Sequence, residues 1–254
     1  MRVVEAGGLR GASISSISRP MPDRKHAHPY CRPKDAATLI IIDQTGSNAK
    51  VLMGQRAFSS AFMPGKYVFP GGRVDAGDSR LSVPDTLDAA VERKLLYDMK
   101  GVASPRRAQA LALAAIRETA EETGLLIGTR NMTGWTTRSP SWSQFIEHGL
   151  APALSPLTFF LRAITPPGRS RRFDTRFFCT TSESIAHQAP NDNDELLNLH
   201  WLTCQQALEL ELPRVTRHAL ETLDEKLSRN RFPAPQDEIS YFYERNRRIL
   251  WERL

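Results

Sequence analysis

Apolar and β-branched residues occur in short blocks separated by polar turn clusters, a pattern that is typical of β-strands. The first block is 36–43 (AATLIIID) and the second is 49–56 (AKVLMGQR). Because the turn cluster QTGSN lies between them, we predict that the two blocks pair as a hairpin. Further strands are predicted at the start of 66–78 and at 157–165, 172–181 and 198–203. The pattern therefore predicts a sheet assembled from distant parts of the chain.

Helical spacing of apolar residues first occurs over residues 83–101. Asp85 is the candidate N-cap of this helix and Gly101 is its candidate stop. Shorter helices are predicted later in the chain, at 139–150, 204–212 and 214–229.

A second long helix is predicted over residues 104–124, with Ser104 as the N-cap and Pro105 as the first helical residue. Gly124 ends the pattern, as glycine commonly does after a helix. Strands and helices are mixed along the chain without strict βαβ alternation. We therefore expect an α/β layered sandwich with a mixed sheet.

The basic charge lies at the two ends of the chain rather than in its centre. The net charge is +6, and the excess of Lys and Arg falls within residues 1–34 and 226–254, whereas residues 35–225 are slightly acidic. A nucleic-acid-binding module concentrates basic charge in its folded body. We therefore expect solvated tails in preference to tails that bind nucleic acid, and no specific nucleic-acid partner.

The composition also bears on the compartment. The three cysteines are widely spaced and form neither a CxxC pair nor a disulfide framework, which favours a reducing environment. Residues 1–34 lack the apolar core of a secretory signal, and no apolar run approaches the roughly 20 residues that span a bilayer. We expect a cytoplasmic protein without a membrane partner, whose residues 1–34 form a basic, flexible N-terminal arm.

Three glutamates, Glu118, Glu121 and Glu122, crowd one side of the second predicted helix. At about 100° per residue they share an arc of about 100°, with apolar residues opposite. Mutual repulsion and the helix dipole both disfavour such charge in the last turns. A bound Mg²⁺ or Mn²⁺ removes this conflict, because carboxylate oxygens suit these cations. A solvated acidic face is the alternative, and Arg117 is spaced to pair with Glu121.

The segment 69–78 (FPGGRVDAGD) contains the second candidate element of a site. Gly71 and Gly72 permit close backbone approach and unusual φ angles. Carbonyl oxygens freed in such a loop bind cations, and freed N–H groups meet phosphate oxygens. A simple tight turn is the alternative for this segment taken alone.

Together, the two segments resemble the Nudix box. Gly72 opens the box, and residues 117–125 (RETAEETGL) match its second half. Asp78 stands where the box has its first glutamate, and the short spacer of the family is replaced by a long one. We therefore predict a Nudix-type α/β/α sandwich with a mixed β-sheet and a helical insertion within the box, at about 79–110.

The segment 51–72 resembles the signature of the coenzyme A diphosphatases within this family. Arg56, Ala57 and Gly65 occupy its positions ahead of the Phe-Pro-Gly-Gly sequence, whereas Ala61 replaces its second arginine. The interrupted box makes the chain similar to coenzyme A diphosphatases of the mammalian peroxisomal type.

This resemblance implies a metal-dependent hydrolase that cleaves coenzyme A or acyl-coenzyme A to 3′,5′-ADP and 4′-phosphopantetheine. The family pattern assigns Glu118, Glu121, Glu122 and the carbonyl of Gly71 to Mg²⁺ or Mn²⁺, and it places Arg117 in the catalytic set. Alternatives are hydrolysis of NADH, ADP-ribose or a noncanonical nucleotide, and a Nudix-fold ligand sensor without catalysis. The expected partner is a small nucleotide substrate, and a homodimer remains open.

Further site residues are expected outside the second half of the box. Many family members take an additional acid from a loop, and Glu195 is the first candidate here, followed by Asp192 and Asp194. Candidate substrate-binding residues, which would contact phosphate groups, are Arg56, Gly72, Arg172 and Arg176. For each arginine a structural salt bridge is the alternative.

The predicted Nudix domain covers residues 35–228, and a C-terminal extension covers 229–254. Phe159, Phe177 and Trp201 are predicted to lie in the core in preference to stacking on a base.

Overall fold

The structure is a computed structural model that describes residue 29 and the ranges 31–60, 62–191, 193–245 and 248–254. Predictions for the rest of the N-terminal arm, for Ala61 and for Asp192 fall outside the described residues.

The strands and helices alternate irregularly along the described chain. The strands are β1 Lys34–Asp43, β2 Lys50–Arg56, β3 Tyr67–Val68, β4 Gly71–Arg73, β5 Leu125–Arg130, β6 Leu150–Pro152, β7 Thr158–Ile164, β8 Phe173–Thr181, β9 Ile185–Gln188, β10 Leu196–Thr203, β11 Ser240–Arg245 and β12 Arg248–Arg253. The helices are α1 Ala89–Leu96, α2 Pro105–Thr123, α3 Ser143–Glu147, α4 Cys204–Leu208 and α5 Arg214–Leu227.

A mixed sheet forms the centre of the fold, with strand order β10-β2-β1-β8-β7-β11-β12. The pairs β1–β8 and β7–β11 are parallel, and the other neighbours along this order are antiparallel. β1 pairs with β2 at one end and with β4 at the other. A smaller sheet has the order β6-β5-β9. This topology confirms the predicted mixed sheet and the predicted β1–β2 hairpin.

The helices cover both faces of the central sheet. Because side chains alternate along a strand, Leu39 and Ile41 of β1 pack in one core with α1 and α2, whereas Ile40 and Ile42 pack in a second core with α5. Cys179, on β8, is fully buried in the second core. The arrangement is the predicted α/β/α sandwich, since each face of the sheet buries a helix.

Helix α2 has the predicted ends. The Ser104 side chain accepts a hydrogen bond from the backbone N–H of Arg107, and Pro105 is the first helical residue. Gly124 ends the helix in the left-handed conformation, with φ of 73°. The alternative of a solvated acidic face is wrong, because Glu122 is only 1% exposed. The loop segment that packs over the helix covers this carboxylate.

Helix α1 is shorter than the predicted helix over 83–101. Its N-cap is Asp88, whose side chain accepts from Ala90 N–H. Asp85, the predicted cap, instead accepts from the backbone N–H groups of Leu154 and Ser155. Asp85, which the sequence predicted as the helix cap, therefore makes a tertiary contact instead.

The C-terminal residues contain two strands that the sequence did not predict. β11 pairs with β7, and β12 pairs with β11, so the hairpin continues the central sheet beyond residue 228. Within the predicted C-terminal extension, β11 and β12 therefore belong to the central sheet. Strands β5, β6 and β9 were also missed, because each is short and lies in a sequence that lacks clear alternation. Among the described helices, none has the length and apolarity needed to cross a membrane.

Candidate active site

The two halves of the proposed box meet where α2 packs against β4. The backbone N–H of Gly71 donates a 2.8 Å hydrogen bond to Oε2 of Glu122. Gly71 has φ of 153°, and a Cβ atom there would lie 2.4 Å from the carbonyl oxygen of Ala37. Only glycine fits this close approach of β4 to β1, which holds the Glu122 carboxylate in place.

Gly72 leaves room for the carboxylate of Glu118, because it has no side chain. A Cβ atom at Gly72 would lie 2.3 Å from the Cδ atom of Glu118. Such a contact is far shorter than van der Waals separation, so any side chain at Gly72 would displace the Glu118 carboxylate. The Gly-Gly sequence is therefore a requirement of the site rather than a simple turn.

Arg117 orders the remaining acidic groups. Its Nη1 atom lies 2.9 Å from Oε1 of Glu118 and 2.9 Å from Oε2 of Glu121. Its Nε and Nη2 atoms form a bidentate pair with Asp78, at 2.9 and 3.0 Å, and Nη2 also donates to the carbonyl of Arg73. The predicted Arg117–Glu121 pair is present, within a larger network.

Asp78 serves this network and does not line the cavity beside the glutamates. Its side chain is 1% exposed, binds Arg117 through both oxygens and accepts from the backbone N–H of Asp75. Asp78, whose side chain is shorter than that of glutamate by one methylene, therefore positions Arg117, although the insertion separates the two residues in sequence.

Two carboxylates of the site are held in an environment that disfavours their charge. Burial raises the pKa of Glu122 to about 8, and repulsion from Glu118 and Glu195 adds to this effect, against the Gly71 hydrogen bond and the charge of Arg56. Burial raises the pKa of Glu118 to about 7, against the opposing influence of Arg117. Burial therefore makes the charged forms of both carboxylates unfavourable in the metal-free site.

The donor set fits a hard divalent cation. The structure brings Glu118, Glu121 and Glu122 to one end of a cavity, and Glu195 also lines it. As they stand, no three acidic, imidazole or thiol groups in the described ranges converge at ligand distance. Glu118 and Glu121 each turn an oxygen to Arg117. Carboxylate oxygens, mutual repulsion and raised pKa values are what a Mg²⁺ or Mn²⁺ site shows before the ion binds.

The cavity has a volume of about 980 Å³ and extends well beyond the glutamates. Its floor is one face of the central sheet, from Thr38 on β1 through Phe177 on β8 to Phe242 on β11. Three strand spacings of about 4.8 Å give this floor a width of about 14 Å. Such a cavity is large enough for an extended nucleotide, at the upper end of the usual range for small-molecule sites.

Arg56, one of the four predicted phosphate contacts, lines this cavity. Its Nε atom donates to the carbonyl of Phe62 at 3.0 Å, which fixes the side chain beside the acidic end. Gly72 lines the cavity as well.

The other two arginines are placed elsewhere. Arg176 is fully buried on the opposite face of the sheet, where it pairs with Asp35 and Asp174. Arg172 is buried and donates to the carbonyls of Thr165 and Cys31. The structure does not bring either guanidinium to the cavity, because strand alternation directs it away from the cavity floor or into the β7–β8 turn.

The predicted core positions of the aromatic residues are confirmed only in part. Phe159 is in the core, and Phe177 is buried while contributing to the cavity floor. The prediction for Trp201 is wrong, since this side chain is 36% exposed at the edge strand β10.

Several cavity residues escaped sequence reasoning. Arg169 and Arg171 lie in the β7–β8 turn, Arg214 and Thr216 lie in the first turn of α5, and Phe242 lies on the unpredicted β11. The only sequence signal was the cluster of arginines after Pro-Pro-Gly. Nothing local indicates that these segments meet the Gly-Gly loop.

This combination of a mixed sheet, a Gly-Gly strand and a glutamate-bearing helix that packs beneath it defines a hydrolase fold of the Nudix class. The chain belongs to the family described as the NUDT19 Nudix domain, which its residues 33–214 match.

Similar proteins agree with this assignment. The chain is 28% identical over 210 residues to the acyl-coenzyme A diphosphatase NUDT19 of Gallus gallus, covering 63% of this chain and 55% of that protein. It is 27% identical over 245 residues to the protein of the same name from Xenopus laevis, covering 69% and 63%. The chain thus spans less than two thirds of the length of these curated relatives.

Among solved structures, a Nudix hydrolase from Alicyclobacillus acidocaldarius is 29% identical, with a TM-score of 0.56. The match covers 75% of this chain and 90% of that one. The predicted Nudix-type sandwich is therefore confirmed.

Proposed function

We propose that the protein is a metal-dependent diphosphatase that cleaves coenzyme A or acyl-coenzyme A to 3′,5′-ADP and 4′-phosphopantetheine. The packing of Glu118 against Gly72, at the acidic end of a 980 Å³ cavity, carries this proposal. The names of the two curated relatives support the substrate class.

The proposed metal ligands are Glu118, Glu121, Glu122 and the carbonyl of Gly71. Mg²⁺ or Mn²⁺ bound there would neutralise the diphosphate and make an attacking water molecule more acidic. Arg117 would hold the Glu118 and Glu121 carboxylates, as it does in the structure. The Gly71 N–H would keep Glu122 directed at the same point.

Outside the helix, Glu195 is the proposed proton acceptor, because it lines the cavity close enough to raise the pKa values of Glu118 and Glu122. Its loop is anchored by a hydrogen bond between Ala57 N–H and the Glu195 carbonyl. Arg56, on the neighbouring strand, would bind a phosphate oxygen through its remaining N–H groups.

The same chemistry on NADH, ADP-ribose or a noncanonical nucleotide is the second candidate. The replacement of the second signature arginine by Ala61 favours it. The retained glutamate set argues against a ligand sensor without catalysis.

A substrate panel tests the proposal. Coenzyme A, NADH, ADP-ribose and a noncanonical nucleoside triphosphate are incubated with Mg²⁺, with Mn²⁺ and with a chelator, and products are separated by chromatography. We expect coenzyme A to be cleaved fastest, to the two products named above, and only with metal. Absence of turnover for every substrate would overturn the enzyme proposal, and faster cleavage of another substrate would overturn the coenzyme A assignment.

Glu122→Gln is the first variant to make. Loss of a direct ligand is expected to lower kcat/KM by at least about a hundred-fold, whereas the amide oxygen can still accept from Gly71 N–H, so the fold is retained. Activity and circular dichroism give the measurement. Glu147→Gln, at the exposed end of α3 and outside the cavity, is the matched control and should keep the wild-type rate. Wild-type activity of Glu122→Gln would remove Glu122 from the metal site.

A further inference from the structure

The cavity lining includes basic groups as well as the glutamates. The first turn of α5 and the β7–β8 turn both line the cavity and carry Arg214, Arg169 and Arg171. All three arginines are exposed, and none forms an ion pair with a residue of the described ranges. Glu244, on β11, is a further carboxylate in the cavity lining. A cavity that is lined by an acidic cluster able to hold a cation and also by separate arginines suits a ligand that bears phosphate groups at two separate places.

The first turn of α5 offers backbone donors to the same space. The helix has 14 residues, and its N-cap is Pro213, which supplies no side-chain hydrogen bond. The first N–H of this region with a backbone partner is that of Arg217, which donates to Pro213. The N–H groups of residues 214–216 have no acceptor within the described part of the chain. Such a helix N-terminus favours an anion, because its N–H groups and its dipole both carry positive charge.

Thr216 supplies an independent indication of a ligand. It is only 3% exposed and lines the cavity. Its hydroxyl group forms no hydrogen bond to any residue that the structure describes. The hydroxyl is not among the fully buried polar atoms without a partner, so it opens to the cavity, where a ligand or a water molecule can satisfy it.

We propose that the first turn of α5, with Arg214 and Thr216, binds a phosphomonoester on the ribose of the substrate. This subsite rests on the proposed function, and it selects substrates that carry a third phosphate apart from the diphosphate to be cleaved. A phosphomonoester has about −1.5 to −2 charges at pH 7 and three acceptor oxygens, which match a guanidinium, a hydroxyl and free N–H groups. The 3′-phosphate of coenzyme A and the 2′-phosphate of NADPH share this chemistry.

Paired substrates test the subsite. The kcat/KM values are measured for coenzyme A against dephospho-coenzyme A, and for NADPH against NADH. We expect the wild-type protein to prefer the phosphorylated member of at least one pair, and that pair identifies the source of the phosphate. Arg214→Gln is expected to reduce this preference about ten-fold, mainly through KM, since a charge-assisted hydrogen bond is lost. Thr216→Val, which preserves volume, should reduce it by a smaller factor.

Arg217→Gln is the matched control, because Arg217 lies on the same helix but does not line the cavity. It should leave the preference unchanged. An equal loss for both members of each pair in Arg214→Gln, or the same loss in Arg217→Gln, would overturn the subsite.

A binding measurement separates failure of the subsite from failure of the proposed function. Calorimetry compares 3′,5′-ADP, 2′,5′-ADP and 5′-AMP on wild-type protein and on Arg214→Gln. Tighter binding of either bisphosphate, lost in Arg214→Gln, supports the subsite even when no substrate is cleaved. Equal affinity for the bisphosphates and 5′-AMP overturns it even when coenzyme A is cleaved.

Discussion

At Gly72 a single hydrogen atom separates the backbone from a carboxylate of the proposed metal site. The clash expected for any Cβ atom there involves the Glu118 carboxylate itself. Residue type at this position therefore acts directly on the geometry of a candidate ligand. A buried arginine, Arg117, then fixes the same carboxylate from the other side.

Gly72→Ala should lower kcat/KM by about a hundred-fold, since displacement of a ligand by about 1 Å has effects of this size. The change in melting temperature should be small, because the Glu118 side chain can turn toward the cavity. Gly77→Ala is the control, as a Cβ atom at Gly77 meets nothing within 4 Å. Equal activity of the two variants would show that Gly72 does not determine the position of Glu118.

At the scale of elements, the insertion is held by residues that follow the box in sequence. Arg162 of β7 donates 3.0 Å hydrogen bonds to the carbonyls of Tyr97 and Asp98, just after α1. Tyr241 of β11 donates to Oδ2 of Asp98 at 2.9 Å, and its ring lies under the Arg162 guanidinium. Lys94 of α1 donates to the carbonyl of Pro235. Contacts between the insertion and the C-terminal segment therefore stabilise both parts of the chain.

Tyr241→Phe tests this mutual support. It removes the hydrogen bond to Asp98 and keeps the ring, so the free energy of unfolding should fall by about 1 kcal/mol. Urea denaturation followed by circular dichroism gives the measurement. Tyr243→Phe is the control, because the Tyr243 hydroxyl bonds to Glu252 within the hairpin and to no other described residue. If both variants lower the free energy of unfolding equally, the Tyr241–Asp98 hydrogen bond stabilises the protein no more than a hydrogen bond within the hairpin does.

At the scale of the whole molecule, one cavity joins segments that are far apart in sequence. The Gly-Gly strand, α2, the loop of Glu195, the first turn of α5 and the C-terminal hairpin all contribute to its lining. Burial disfavours the charged forms of Glu118 and Glu122, so ionisation of these carboxylates lowers the stability of the metal-free folded protein. A bound cation would remove this cost and couple metal binding to stability.

Metal should therefore raise the melting temperature more at high pH than at low pH. Because the pKa values of Glu118 and Glu122 are raised to about 7 and about 8 in the folded protein, the folded state binds more protons than the unfolded state between about pH 4.5 and 8. Stability of the metal-free protein is then lost as the pH rises through this window.

Thermal unfolding with and without Mn²⁺ at pH 6 and pH 8.5 measures this effect. At pH 8.5, a Mn²⁺ concentration of 100 times the Kd at that pH should raise the free energy of unfolding by about 2.7 kcal/mol. The same Mn²⁺ concentration should raise it by less at pH 6, where protons compete with the metal for the carboxylates. Glu122→Gln should show little gain at either pH, and an equal gain for wild type at both values would contradict the assignment of these ligands.

Part of the architecture and half of the site were predictable because they depend on local signals. The ends of α2 follow from Ser104, Pro105 and Gly124, which act through their own backbone neighbours. The hairpin of β1 and β2 follows from alternation and a turn. The C-terminal strands were not predictable in this way, since β11 is stabilised by pairing with β7, about 80 residues earlier in the chain. The cytoplasmic location, the homodimer and the arm over 1–34 remain predictions.

The sequence by itself determined the family, the glutamate helix and the glycines that the glutamates need, because these depend on residue types at fixed short spacings. Only the tertiary structure decided which arginines line the cavity. Strand alternation and the fold of the β7–β8 turn buried Arg172 and Arg176 while leaving Arg169 and Arg171 at the cavity, and the packing of α5 placed Arg214 there. A guanidinium has the same chemistry at each of these positions, and its role follows from the face of the sheet, or the end of the helix, on which the backbone places it.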